Sequence, residues 1–239
     1  MPAANNVPDV RDRILDEATR LFSARGFDGT SLAEVADAVG LRKPSLMYHF
    51  ESKDALRRAV MEKLLGHWND VLPRLLLAAT SGEGRFDAVV GEMIGFFSAD
   101  PDRARLLVRE SLDRPEGMRE LVISHTPPWV SMVCNYIRRG QAEGLIHADV
   151  DPEAYVVQVV NLVIAGVATW DCIGAMAGTP AQKGRHPRPP SRHVAEMLRV
   201  AKAALFVGAG AARATTTTKA TRRKRPAATI NRAKRTPRG

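Results

Sequence analysis

Residues 42–49 of this 239-residue chain, RKPSLMYH, gather Arg42, Lys43, Ser45, Tyr48 and His49 with no carboxylate before Glu51. Guanidinium, ammonium, hydroxyl and imidazole groups in such density suit phosphate oxygens and the acceptor-rich base edges of the DNA major groove. Covalent chemistry has no comparable signature. The chain lacks G-x-S-x-G, H-E-x-x-H and a phosphate-cradling glycine loop, so no enzyme is expected. Cys134 and Cys172 form no C-x-x-C, and no histidine cluster has ligand spacing. They read as small buried hydrophobes in a reducing compartment, with no metal and no cofactor.

The donors must be held by neighbouring elements. Ser31 and Glu34 form an S-x-x-E capping box, in which hydroxyl and carboxylate satisfy orphan amides at a helix start. Leu32, Val35, Ala36 and Val39 follow at i, i+3, i+4 and i+7, the stripe of a core-facing helix. Gly40 suits the left-handed residue that ends it. The next helix, 43–50, buries only Leu46 and Phe50 and presents Pro44, Ser45, Met47, Tyr48 and His49 outward. This is a helix-turn-helix over about 31–50, with the major groove as its recipient. A helix hairpin inside an all-α core satisfies the same spacing. Small Ala36 at the helix crossing, the acid-free outer face, and Lys53 in the first turn of the next helix favour DNA. A cation there opposes the helix dipole and calls for an anion such as phosphate.

The helix before Gly26, TSLAEVADAVGL, PSLMYHF and SKDAL together resemble the TetR family of bacterial transcription regulators over roughly residues 10–65. The resemblance implies a homodimer. It places Pro44, Ser45 and Met47 at base-facing positions and Tyr48, His49 and Lys53 at phosphate contacts. Thr30 and Ser31 match contacts at the start of the second helix, and Arg42 and Lys43 adjoin them. Met47 stands where the family usually has tyrosine, and Arg42 where a capping serine is common. Both departures bear on the operator sequence rather than on the mode of binding.

Elsewhere the helical period recurs without strand-period segments, giving an all-α fold. A leader at 1–8 is expected to be disordered, followed by a three-helix helix-turn-helix DNA-binding domain at 9–70. A helical ligand-binding and dimerisation domain would fill 71–209, with a disordered basic tail at 210–239. Asp9 can cap the first helix, and Phe27 is expected to plug the three-helix core. A long helix from Ser52 to about Ala78 would link the domains, with a kink or break at Pro73. Residues 81–84 (SGEG) read as a loop. Helices follow at about 86–98, 100–112, 115–124, 128–144, 152–176 and 191–207, and 178–190 has loop composition.

The helix at 152–176 is apolar nearly all round, with small Ala165, Ala168, Thr169 and Cys172 along one ridge. It suits either the centre of a monomer core or, paired with 191–207, a four-helix dimer seam. One short recognition helix is a small reader. Two copies about 34 Å apart would bind a near-palindromic operator. Met93, Phe96, Phe97, Trp129, Met132, Tyr136 and Trp170 are candidates for a cavity taking an apolar small-molecule effector, with His125 and Asn161 as polar selectors. Each also serves as plain core.

The formal charge of +9 is a property of the tail. Residues 213–239 hold ten Lys/Arg and no acid, leaving −1 for residues 1–212. Such a tail adds salt-sensitive, sequence-independent DNA affinity, or serves only solubility. Two functions result: a sequence-specific repressor released by an apolar effector, or an architectural, nucleoid-type protein dominated by its tail. No secretory signal opens the chain, and the apolar run 155–170 is interrupted by Gln158 and Asn161. A cytoplasmic, nucleoid-associated protein without membrane contact is expected.

Overall fold

The computed structural model describes residues 9–78, 82–178 and 189–208. The leader, most of the 178–190 loop and the basic tail lie outside these residues. The described chain forms α1 Val10–Arg25, α2 Leu32–Ala38, α3 Lys43–His49 and α4 Lys53–Ala78. It continues through α5 Gly82–Ala99, α6 Pro101–Asp113, α7 Pro115–His125 and α8 Pro127–Ala142. Last come α9 Pro152–Ala168, α10 Trp170–Ile173, a 3-10 turn Gly174–Ala177 and α11 Ser191–Leu205. An isolated antiparallel bridge, Ile146 to Phe206, is the sole β pairing among the described residues.

The first three helices fold as their sequence directs. Ile14, Ala18 and Phe22 of α1, Val35 and Ala36 of α2 and Leu46 of α3 are fully buried in one small core. Asp9 occupies the N-cap of α1, but its side chain makes no capping bond. The brace from α1 is polar as well: Arg13 Nη2 donates to the Val39 carbonyl at 2.8 Å, holding the C-terminus of α2.

α4 runs unbroken through Pro73, so the ring removes one backbone bond without ending the helix. Residues 82–84, read as loop, are the first turn of α5. The helix expected to continue to 176 stops at Ala168, and the chain bends by 68° into α10 and the 3-10 turn. Thr169 marks the bend, its hydroxyl donating to the Ala165 carbonyl at 2.7 Å. Gly174 then lies flat against the Trp170 indole, where a Cβ would come within 2.8 Å of the ring. Among the described residues no single helix is long and apolar enough to cross a membrane.

α6 sits at the centre, packed against α1 on one side and α9 on the other. Asp100 caps it by accepting from the Asp102 amide at 3.2 Å, followed by Pro101 at the first helical position. On the α1 and α4 side, Ser23 Oγ donates to Asp102 at 2.5 Å, and Arg57 Nη1 donates to Glu110 at 2.5 Å. The Glu110 side chain is 2% exposed and that of Arg57 14%, so this ion pair is withdrawn from water. Removing one member strands the other in the interior, which typically costs about 3–5 kcal/mol. Glu110→Ala is therefore expected to lower unfolding free energy by that order in urea titration. The double change Arg57→Met with Glu110→Leu should lose distinctly less.

Candidate nucleic-acid interface and ligand cavity

The helix-turn-helix is assembled from local bonds. Ser31 Oγ accepts from the Glu34 amide at 3.2 Å, and Glu34 Oε2 accepts from the Ser31 amide at 2.7 Å, completing the capping box. Those bonds hold the Glu34 carboxyl below its ordinary pKa. At the turn Gly40 adopts φ +73°, its amide donating to the Asp37 carbonyl at 3.1 Å. The Leu41 amide reaches the Ala36 carbonyl at 2.8 Å. This pair of bonds closes α2 with a left-handed glycine cap, which fixes where α3 starts.

Arg42 stands at the N-cap of α3 without a side-chain capping bond, and Pro44 lies in the first turn. Leu46 is its one buried residue, and Phe50 closes the helix, also buried. Lys43, Pro44, Ser45, Met47 and Tyr48 are exposed, Tyr48 to 89%. His49 is half-buried, with Tyr48 edge-on to it at 5.6 Å. The outward set read from the sequence thus shares one surface.

Two of the residues read as DNA contacts lie elsewhere. Thr30 is 2% exposed, and its hydroxyl donates to the Gly26 carbonyl at 2.9 Å, with the Leu21 carbonyl at 3.3 Å. It ties the α1–α2 loop together and has no hydroxyl proton for phosphate. Lys53 has an aromatic partner, its Nζ lying 4.3 Å from the Phe27 ring centroid. Arg114 lies over the same ring at 4.1 Å and Arg57 at 5.8 Å. Phe27 is half-buried: it packs against the core beside Phe22, ring centroids 5.7 Å apart, and these three cations lie over it. Lys63 bonds Asp12 at 3.1 Å and Asp16 at 2.9 Å. Arg42, Lys43 and Arg58 remain exposed and form no ion pair among the described residues.

A cavity of about 560 Å³ lies between α4, α5, α6, α8 and α9. Met93, Phe97, Trp129 and Tyr136 line it as read from the sequence, and Asn161 joins them. Phe96, Met132, Trp170 and His125 do not. Phe96 stacks on His67 at 4.3 Å and lies under the Arg103 guanidinium. Trp170 covers Gly174 and contacts His193 at 4.2 Å, while His125 Nδ1 lies 2.9 Å from the Leu121 carbonyl. Sequence reading missed much of the wall, including Trp68 and Leu72 of α4, Leu107 and Val108 of α6, and Tyr155 of α9. Tyr155, the one aromatic on the apolar α9, was the available signal.

His67 offers a pH test of this packing. Burial, reinforced by the Arg103 cation, lowers its pKa, and its Nε2 is buried without a hydrogen-bond partner. A histidine depressed in the folded state binds protons more readily when unfolded. Its contribution is complete above the unfolded value of about 6.5 and is lost as pH falls through that value toward the folded one. The melting temperature should drop between pH 7.5 and pH 5.5, and His67→Gln should flatten that slope.

Residues 14–60 match the family model for bacterial regulatory proteins of the tetR family, and residues 84–198 match a tetracyclin repressor-like C-terminal domain. The chain is 37% identical over 65 residues to the biofilm operon icaADBC HTH-type negative transcriptional regulator IcaR of Staphylococcus epidermidis. That match covers 27% of this chain, and the chain spans only 35% of the relative's length. In fold the chain is similar to the ketosteroid transcriptional regulator KstR2 of Mycobacterium tuberculosis. The TM-score is 0.63 at 14% identity, covering 87% of this chain and 100% of that one. It is similar also to AibR, solved with isovaleryl coenzyme A and operator DNA. There the TM-score is 0.62 at 20% identity, covering 80% and 97% of the two chains.

Proposed function

The chain belongs to the TetR family of bacterial regulatory proteins, and from that premise we propose that it is a homodimeric repressor of a near-palindromic operator, released when a small apolar effector fills its cavity. The observation that carries this reading is the double duty of α6. Leu107, Val108 and Ser111 of that helix line the cavity. Asp102 and Glu110 of the same helix hold Ser23 of α1 and Arg57 of α4. A ligand favouring another setting of α6 changes the setting of the DNA-binding helices by its differential affinity for the two states. IcaR, a negative regulator, supports the repressor sign. The protein acts as a regulator in the cytoplasm and not as an enzyme.

In this reading Pro44, Ser45 and Met47 face bases, while Ser31, Arg42, Lys43, Tyr48 and His49 position α3 on the duplex. Lys53 reaches phosphate only by leaving the Phe27 ring. Val157, Asn161 and Ala165 of α9, spaced four residues apart, are exposed, the first two also lining the cavity, and Val200 of α11 is exposed as well. We assign this surface to the dimer seam, which sets the half-site spacing. Domain limits near 9–70 and 71–209 accompany this reading.

Selection of binding sequences by the purified protein should return a discrete inverted repeat; footprints without two-fold symmetry would instead favour the architectural reading. Met47→Tyr should change preference at a base pair by on the order of 1–3 kcal/mol while leaving overall affinity nearly constant. An equal loss on all sequences would remove Met47 from base reading. Ala165→Glu should yield monomers in sedimentation and abolish tight operator binding.

The tail supports a second contribution. Ten cations without an acid in 213–239 release counterions from any DNA sequence. Deleting 213–239 should lower non-specific affinity at low salt and make the salt dependence shallower, with the selected repeat unchanged. Unaltered non-specific affinity would leave the tail a solubility device.

A further inference from the structure

The cavity wall carries more chemical information than its apolar character. Four hydroxyl side chains line it, and each has already committed its proton. Tyr136 of α8 donates to the Gly82 carbonyl at 2.5 Å, and Tyr155 of α9 donates to the Ala201 carbonyl at 2.6 Å. Ser111 donates to the Leu107 carbonyl at 2.8 Å and Thr126 to the Val122 carbonyl at 2.9 Å. What these oxygens retain is lone pairs, so toward a guest they act as acceptors. Burial pushes the Tyr136 phenol up to about 12 and raises Tyr155 as well, so both remain protonated, donating phenols at any working pH.

The complementary group is Trp129. It lines the cavity and stands seven residues before Tyr136, on the same face of α8. Its indole N–H is buried without a hydrogen-bond partner. Of the charged residues on the wall, Glu153 is paired with Arg138, and Arg85 is engaged within the protein. A carboxylate or phosphate guest would bring lone pairs to a wall rich in them. A quaternary ammonium would bring a charge with no available anion.

We propose that the cavity selects an uncharged, largely hydrocarbon molecule carrying a hydroxyl group. A hydroxyl group both donates, as the tyrosine oxygens require, and accepts, as the Trp129 N–H requires, and does so without carrying a charge. This identifies the chemical class of the effector and rests on the cavity being the effector site.

The test uses four ten-carbon-scale probes on the full-length protein, titrated by calorimetry: 1-decanol, the isosteric ether 1-methoxynonane, decanoate and decyltrimethylammonium. Decanol should bind about fivefold or more tightly than the ether, the value of one net hydrogen bond, with both ions weaker still. Tyr155→Phe should erase the advantage of decanol while leaving ether affinity unchanged, whereas Trp129→Phe should weaken alcohol and ether alike, since both oxygens accept from the indole; this split separates lost recognition from a damaged fold. Equal affinity for ether and alcohol, tighter binding of either ion, or no saturable decanol binding overturns the proposal. Fluorescence anisotropy on the selected operator is read in parallel. Decanol that binds with the stated preference yet leaves protein on DNA keeps the ligand class and removes the effector role. Ether and alcohol that bind equally yet both release DNA do the reverse.

Discussion

The ion pair between Arg57 and Glu110 is the constraint on which the arrangement of the rest depends. It joins the second turn of α4, which belongs to the DNA-reading unit, to the last turn of α6, which borders the cavity. Withdrawing both charges from water is unfavourable unless geometry compensates, so the pair tolerates few alternative placements of the two helices. Ser23 with Asp102 adds a second fixed point, and Arg114 with Asp28 and the Phe27 ring a third. Three polar ties over a continuous apolar core make the reading unit and α6 move together or not at all. A contact of this kind is bistable rather than compliant, which is what a ligand-driven switch requires.

The same ties redistribute charge. The segment 41–67 holds six Lys/Arg against three acids. Arg57 faces Glu110, Lys63 faces two aspartates, and Lys53 rests on an aromatic ring. The cations left at the surface of the motif are Arg42, Lys43 and Arg58. So small a positive footprint gives one copy little electrostatic affinity. Tight binding then depends on pairing two copies, and on whatever the basic tail contributes through counterion release.

What could be read from sequence divides along the range of the interaction responsible. The Ser31–Glu34 box, the Gly40 cap, the buried Leu46 and the Asp100–Pro101 helix start were all legible, because each is decided within four or five residues. The roles of Thr30 and Lys53 were not, nor were the cations gathered over Phe27. A threonine beside a capping serine looks like a phosphate ligand until the carbonyls of Leu21 and Gly26 come within reach of its hydroxyl. A cation in a first helical turn looks anion-seeking until a loop aromatic is folded beneath it. The cavity was legible in kind but not in membership. Aromatic and sulfur-bearing residues marked the right helices, yet Phe96 and Trp170 have other partners and Met132 lies outside the wall. Residues as ordinary as Leu107 and Val108 complete the wall. Pro73 and Thr169 show the converse: the proline expected to kink or break a helix does not break it, while the helix ends at a threonine with a buried tryptophan after it.

α9 extends this logic to the second copy. Val156, Val160 and Ile164 of that helix border the cavity, while Ala165 is exposed only on the surface assigned to the dimer seam, and Val157 and Asn161 take part in both. Successive residues on one helix therefore serve two surfaces, and α9 cannot rotate to fit a ligand without turning its outer row as well. α6 behaves the same way between cavity and reading unit. In the proposed cycle one ligand thus acts on operator spacing twice, through the tilt of each reading unit and through the seam between them. Neither path needs the ligand to approach DNA. Both need it to push on helices that are buried on one side and committed on the other.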